Sequence, residues 1–225
     1  MTRRLEARRS PDPARRRLLG VALAASLSGG GLGAALAQPA PAATPAAASL
    51  QRTAEGLFLS GRVALAPSAV VEDALLKGVP LYFLWRADVV RDRWYWTDKR
   101  VARAARVVRV AYQPLTRRWR VSLSSDAAAA PGSAAGLQYA LHQTHDSLAD
   151  ALAGVGRVVR WKIADAAALE PGATHRVELD FRLDLSLLPR PFQIGLANQP
   201  DWTVELSQRL PVPEAIEPEP ALEAR

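Results

Sequence analysis

The chain has three histidines, His142, His145 and His175, which are its first candidates for catalysis or metal binding. His142 and His145 stand three residues apart, a spacing that can place both side chains on one helical face and bind zinc. Residue 143 is Gln143, so the pair does not form an H-E-x-x-H pattern. A polar helix start explains the same spacing, and the sequence predicts neither a metal site nor a cofactor.

The sequence also gives little support for a catalytic serine or for a catalytic pair of carboxylates. The run HDS, residues 145–147, holds the residue types of a hydrolytic triad, but sequence neighbours cannot adopt that geometry. The carboxylates of Asp180 and Asp184 fall on the same side of a predicted strand, where a solvated face explains both. The sequence therefore predicts no catalytic residue, and a hydrolase is kept only as the alternative function.

An aromatic and basic stretch, DRWYWTDKR at residues 92–100, is the best candidate for a contact site. Alternation along an extended chain sends Trp94 and Trp96 to one face and Tyr95 to the other. One side is expected to pack in the core, while the other can contact a ligand or a partner. A second candidate is Arg190, held between two prolines in the stiff segment LPRPFQI. We call the predicted contact residues the aromatic-basic surface: Trp94, Tyr95, Trp96, Lys99, Arg100 and Arg190.

Strict alternation of apolar and polar residues predicts several strands with one buried face. It is clearest in HRVELDFRLDLSLL, with apolar residues from Val177 to Leu185, and in LYFLWRADV, from Leu81 to Val89. The segment VVRWKI predicts Val159, Trp161 and Ile163 on the buried side. The run from 105 to 123 predicts a hairpin whose connection is residues 114–118.

Two short helices interrupt these strands. SAVVEDALLKG begins at Ser68, a favourable N-cap, and THDSLADALAGVG begins near Thr144 or Asp146. The dominance of antiparallel strands predicts a mainly β fold, an antiparallel β-sandwich with two short helices.

The first 37 residues have the composition of an export signal. An arginine-rich start precedes an apolar run that ends in Ala35-Leu36-Ala37, a small-residue pattern suited to cleavage before Gln38. Arg15, Arg16 and Arg17 fit either the twin-arginine or the ordinary secretory route. An uncleaved N-terminus that holds the protein against the membrane is the alternative. After cleavage, we expect no stable membrane span and a periplasmic or secreted protein.

The signal also accounts for most of the positive charge. Seven arginines and two acidic residues lie in residues 1–37, so a net charge of +5 out of the total of +7 belongs to the signal. The remaining chain is nearly balanced, which argues against nucleic acid as a partner. There is no cysteine, which excludes disulfides and thiol chemistry.

Composition predicts the domain boundaries. Residues 38–49 are expected to form a Pro/Ala linker, 50–210 a single domain, and 211–225 a disordered, acidic and proline-rich tail.

Five segments, in order, resemble the bacterial domain-of-unknown-function family 4390: GVPLYF at 78–83, RWYWTDKR at 93–100, YQPLTRRWRVS at 112–122, RWKIAD at 160–165 and LPRPFQIG at 188–195. The resemblance spans about residues 48–210. It implies an exported protein of Gram-negative, mainly proteobacterial type with no assigned activity, often encoded near a nitrogen-type sensor kinase. It brings no catalytic residues with it.

These observations together predict a non-enzymatic binding or interaction module of the cell envelope, with an unidentified envelope protein or ligand as its partner. A hydrolase acting on envelope polymers, dependent on the three histidines, is the alternative.

Overall fold

The computed structural model describes residues 43–93, 95, 97–124, 141–188, 193 and 199–218. Within these residues the strands are β1 (Ala43–Thr53), β2 (Gly56–Leu65), β3 (Leu81–Arg91), β4 (Lys99–Gln113), β5 (Arg118–Ser124), β6 (Leu141–His145), β7 (Arg157–Asp165), β8 (His175–Leu183) and β9 (Glu205–Pro211). The helices are α1 (Ala69–Leu76) and α2 (Leu148–Val155).

The strands form two antiparallel sheets. The smaller has the order β1-β2-β7, and the larger has the order β6-β5-β4-β3-β8-β9. Residues from both sheets contribute to one hydrophobic core, with Leu57 and Val158 from the smaller sheet and Trp85 and Phe181 from the larger. The mainly β fold with antiparallel sheets and two short helices is confirmed.

The central strand β3 follows the predicted alternation. Its residues Leu81, Phe83, Trp85, Ala87 and Val89 are all buried. The rings of Trp85 and Phe181 are 4.7 Å apart, and the Trp85 indole donates a hydrogen bond to the Val155 carbonyl at the end of α2. This bond ties the helix to the large sheet.

The predicted hairpin and the start of the first helix are confirmed, whereas the start of the second helix differs from the prediction. β4 and β5 form the predicted hairpin, with Val110 opposite Val121. Ser68 is the N-cap of α1, where its hydroxyl accepts a hydrogen bond from the Val71 amide. Helix α2 begins later than predicted, because Ser147 caps it and residues 141–145 form a strand. Each helix has eight residues, and no helix in the described part of the chain is long and apolar enough to cross a membrane.

Described residues beyond both predicted boundaries of the domain are bonded to it. Strand β1 begins at Ala43, inside the predicted linker, and pairs with β2 from Ala43 opposite Leu65 to Thr53 opposite Gly56. The pairing uses backbone groups, so small residues can satisfy it without large side chains. At the other end, the backbone amides of Val212 and Glu217 donate to the carbonyls of His175 and Arg52. The predicted tail is therefore bonded to the domain as far as Glu217.

One prediction of an inward-facing residue is also wrong. Val159 is 59% exposed, and its neighbour Val158 is buried instead. Leu59 faces Trp161 while Gly61 faces Val158, so two residues of β7 stand opposite Ser60. Arg160 has a φ of 43°, and this bulge shifts the alternation by one residue. Leu185, predicted to face inward, lies in a short 3-10 turn after β8 and packs against the core.

Candidate functional site

The structure describes half of the aromatic-basic surface. Trp94, Trp96 and Arg190 lie outside the described residues. Tyr95 is 68% exposed, and Lys99 and Arg100 are the exposed first residues of β4. The contact surface therefore stays a prediction.

Arg100 lies at the edge of an ion-pair cluster around Asp88. This carboxylate is almost buried and accepts two hydrogen bonds from Arg103, at 2.6 and 3.2 Å. Arg86 is 3.5 Å away and Arg100 is 3.7 Å away. A buried carboxylate with three arginines organises the outer face of β3 and β4, and it draws Arg100 toward the sheet.

The three histidines lie at three separate places. His142 and His145 belong to β6 and not to a helix, so their spacing sends them to opposite faces of a strand. The predicted helix start at these residues is therefore wrong, and the shared helical face that zinc binding would need does not form. Nδ1 of His142 is 2.9 Å from the Ser122 hydroxyl, and His175 lies at the start of β8. The described residues contain no group of three or more His, Cys, Asp or Glu side chains able to hold a metal ion.

The predicted carboxylate pair also separates. Asp184 is beyond the end of β8 and accepts hydrogen bonds from the amide and hydroxyl of Ser186. Asp180 accepts hydrogen bonds from Arg86 at 2.5 Å and Ser207 at 2.7 Å. Partial burial opposes the ionised form of Asp180, but the bonds from Ser207 and Arg86 outweigh it and lower its pKa. Each carboxylate therefore has a separate structural role.

A cleft of about 880 Å³ opens where the inner face of β4, β5 and β6 meets α2 and the β2–β7 edge. We call it the arginine cleft. Its lining residues are Arg62, Arg106, Val108, Val121, Leu123, Leu141, Gln143, Thr144, His145, Asp146, Asp150, Ala153, Gly154, Arg157 and Val159. Its size is that of a typical small-molecule site.

Arg106 is the most unusual residue of the arginine cleft. It occupies an inward position of β4, directly opposite Trp85, and is only 9% exposed. Its guanidinium lies 4.8 Å from the ring of Trp161 and 5.8 Å from that of Trp85. Nη2 donates to the Arg157 carbonyl at 3.4 Å, while the buried Nε has no hydrogen-bond partner in the described part of the chain. Burial lowers the pKa of Arg106 to about 10, so the side chain stays charged at neutral pH.

Two further arginines add positive charge at the cleft. Arg62 on β2 stands directly opposite Arg157 on β7, and both are exposed. Like charges placed opposite each other across a ladder repel. Among the described residues, no carboxylate lies within 4.0 Å of Arg62, Arg106 or Arg157. The cleft therefore holds three arginines that form no ion pair with a described carboxylate.

His145 is the one sequence candidate that lines the cleft. Its Nε2 is buried and has no hydrogen-bond partner among the described residues. The ring lies against Gly154 of α2, where a Cβ atom would be 3.5 Å from this nitrogen. The imidazole thus presents a second unused polar atom at the helix side of the cleft.

Sequence reasoning missed Arg106, although a signal was present. Alternation along β4 places Ala102, Ala104, Arg106, Val108 and Val110 on the inner face. An arginine at an inward position among apolar residues predicts a buried cation. Burying a cation costs free energy unless other groups stabilise its charge. Its partners are two tryptophan rings from β3 and β7, which only the tertiary fold brings together.

Comparison with known proteins adds one positive result. Searches of curated proteins and of solved structures found no significant match. The model of one family matches residues 40–210, which include every strand of the structure from β1 to β8 and most of β9. The chain therefore belongs to the family described as Domain of unknown function (DUF4390).

Proposed function

We propose that this protein is an exported, non-enzymatic binding module of the cell envelope that holds a small ligand in the arginine cleft. The observation that carries the proposal is Arg106, a buried cation with an unused donor at a cleft of ligand size. An unpaired buried donor costs free energy in the empty protein. A bound acceptor removes that cost, which favours ligand binding at this point.

Burial and packing preorganise the cleft for binding. The two indole rings restrict the Arg106 guanidinium, and the antiparallel ladder fixes the backbone of Arg62 and Arg157. Donors that are already held in place lose little conformational entropy when a ligand binds. This arrangement supports recognition of a ligand without requiring a change in fold.

No contact in the described structure favours the hydrolase alternative. The Ser122 hydroxyl is bonded to His142, but Ser122 is 2% exposed and does not line the arginine cleft. His145 lines the cleft, and His175 is buried at the start of β8. A shared catalytic mechanism for the three histidines therefore has no geometric support.

Export and a link to sensor-kinase signalling are part of the same proposal. The export-like composition of residues 1–37 supports a periplasmic or secreted location, and the family resemblance suggests the signalling link. A ligand-filled domain in the envelope can serve as the input to such a system. The aromatic-basic surface is the proposed contact for its protein partner.

Native mass spectrometry of the full chain, purified from bacterial envelopes without denaturation, tests ligand binding. We expect a small-molecule adduct on the wild-type protein. Ala153→Trp should abolish it, because Ala153 is an exposed residue of α2 that lines the cleft. Ala149→Trp is the matched control, since Ala149 lies on the same helix and does not line this cleft. Absence of an adduct on the wild type, or an equal adduct on Ala153→Trp, would refute the proposed function.

A further inference from the structure

We propose that the arginine cleft binds an amphiphile that carries one acidic head group on an apolar chain, and that Arg106 recognises the head group. This inference rests on the proposed function and defines its ligand. The cleft has a cationic part and an apolar part, and each part requires a different portion of the ligand.

The cationic part consists of Arg62, Arg106 and Arg157. Arg62 and Arg157 repel each other across the β2–β7 ladder, and Arg106 is buried with its Nε unused. An anion placed among them relieves both unfavourable features at once. A carboxylate or phosphate fits best, because a guanidinium donates charge-assisted hydrogen bonds to either group.

The acidic residues of the cleft do not neutralise these arginines. Asp146 pairs with Arg118 at 2.8 Å, and Arg118 is not among the lining residues. Asp150 accepts one hydrogen bond from the Ser147 hydroxyl, and its own amide donates to that hydroxyl, which is the N-cap of α2. Asp146 is thus paired with a cation outside the lining, and among the described residues neither carboxylate forms an ion pair with Arg62, Arg106 or Arg157, which leaves these arginines available to a ligand.

The apolar part is formed mainly by aliphatic side chains of the large sheet. Val108, Val121 and Leu123 line it from neighbouring strands, together with Leu141 and Val159. Leu141 and Val159 are 49% and 59% exposed, which is unfavourable for large aliphatic residues in water. A ligand chain that covers them removes this exposure. A simple inorganic anion would leave both residues exposed.

The volume of the cleft supports a ligand larger than an anion alone. A site of about 880 Å³ is near the upper end of the range for small-molecule pockets. An acidic head group at Arg106 leaves space for a chain along the aliphatic side chains. The shared chemistry of a fatty acid and of a lipid phosphate satisfies these conditions equally.

Isothermal titration of the purified full chain with four probes of equal chain length tests this inference. Decanoate and decyl phosphate carry the acidic head group, decanol is neutral, and decyltrimethylammonium is cationic. We expect either acidic probe to bind at least about tenfold more tightly than the other two, as charge-assisted hydrogen bonds predict. The tighter of the two acidic probes identifies the head group as a carboxylate or a phosphate.

Chain length tests the apolar part separately. Octanoate lacks two methylenes of decanoate and should bind about 15-fold more weakly, since each buried methylene contributes about fourfold to affinity. Equal affinity of octanoate and decanoate would refute the apolar contact. Acetate should show no measurable binding.

Arg106→Met tests the proposed recognition residue, because methionine fills space without charge. It should weaken binding of the acidic probe about 10- to 100-fold and leave that of decanol unchanged. Arg109→Met is the matched control. Arg109 belongs to the same strand and faces the opposite side of the sheet, and its buried Nε also has no partner among the residues that the structure describes. Arg157→Gln, on the exposed edge, provides a second variant if Arg106→Met fails to fold.

The outcomes separate this inference from the proposed function. If decanol binds as tightly as decanoate, or if Arg106→Met and Arg157→Gln both bind like the wild type, acidic-head recognition is wrong. The proposed function still stands in that case if the native adduct is lost in Ala153→Trp. Absence of binding by all four probes also refutes the amphiphile, while the adduct measurement decides independently whether the cleft holds another ligand.

Discussion

At the scale of single residues, burial controls the protonation of His175. This histidine is 3% exposed, and its Nδ1–H donates to the Ala173 carbonyl at 2.9 Å, while Nε2 has no partner among the described residues. Burial is the main cause of its lowered pKa, and the nearby charges of Arg52 and Arg91 act in the same direction. The hydrogen bond to Ala173 opposes the shift but does not cancel it.

The lowered pKa of His175 predicts acid sensitivity. Below about pH 6.5 the unfolded chain binds a proton at this histidine more readily than the folded protein does, so stability falls as the pH decreases. His175→Asn keeps a donor near the position of Nδ1 and cannot titrate, so it should reduce this loss. Urea unfolding of both proteins at about pH 7.5 and about pH 5.5 measures it. An unchanged loss of stability in the variant would assign the effect to other groups.

Single residues also show what the sequence can predict. The buried positions of β3 follow from alternation alone, because that strand is regular from Leu81 to Val89. Val159 was assigned to the wrong side because Arg160 adopts a positive φ and its amide donates to the Ser60 hydroxyl. That bulge depends on a partner 100 residues away in the sequence. The bulge therefore cannot be predicted from the pattern of neighbouring residues.

At the scale of elements, the junction between α2 and β7 limits which residues are allowed at position 156. The Gly156 carbonyl accepts a hydrogen bond from the Val63 amide at 2.8 Å, which holds the helix end against β2. A Cβ atom at Gly156 would lie 2.1 Å from the Val63 carbonyl oxygen. The glycine is required by this close approach of two backbones, since its φ of −75° is accessible to any residue.

Gly156→Ala should therefore destabilise the protein by about 2 kcal/mol, because the backbone of β2 or α2 must move. The free energy of unfolding in urea measures the change. Gly154→Ala is the matched control: its Cβ would make an ordinary contact with the His145 ring, and alanine favours a helix by up to about 1 kcal/mol. Equal stability of the two variants would contradict the close approach.

Elements that lack a strong pattern were the ones that sequence reasoning misassigned. Strand β6 has four exposed residues and one half-buried residue, so its five positions show no alternation. It forms because its backbone pairs with β5, from Trp119 opposite His145 to Leu123 opposite Leu141. Strand β1 similarly depends on pairing with β2, although its composition is typical of a linker. Because this pairing uses backbone groups, it is difficult to predict from the types of side chain.

At the scale of the whole molecule, most of the net positive charge of the sequence lies before the part that the family model matches. The family match begins at residue 40, close to the predicted cleavage before Gln38, and the excess of arginine precedes it. The arginines of the cleft belong to the matched part. Their positive charge is therefore local, set by three residues that the fold brings together, and it is independent of the high net charge of the full sequence.

Export makes a prediction that concerns the full chain. When the chain is produced in a Gram-negative host, we expect the periplasmic fraction to contain a protein that begins at Gln38, as intact-mass measurement and N-terminal sequencing would show. Ala37→Leu should block cleavage, because signal peptidase requires a small residue before the cut. Ala34→Leu is the control, since it adds the same side chain outside the Ala35-Leu36-Ala37 pattern.

If the chain is not cleaved, its location distinguishes an exported protein with an N-terminal anchor from a protein that is not exported. If the wild type keeps its N-terminus but is digested by protease added outside the inner membrane, the first 37 residues act as an anchor. If the wild type is uncleaved and protected from that protease, export is wrong. A cytoplasmic location would also remove the envelope from the proposed function, while leaving the acidic amphiphile as a ligand that the cleft can be tested for directly.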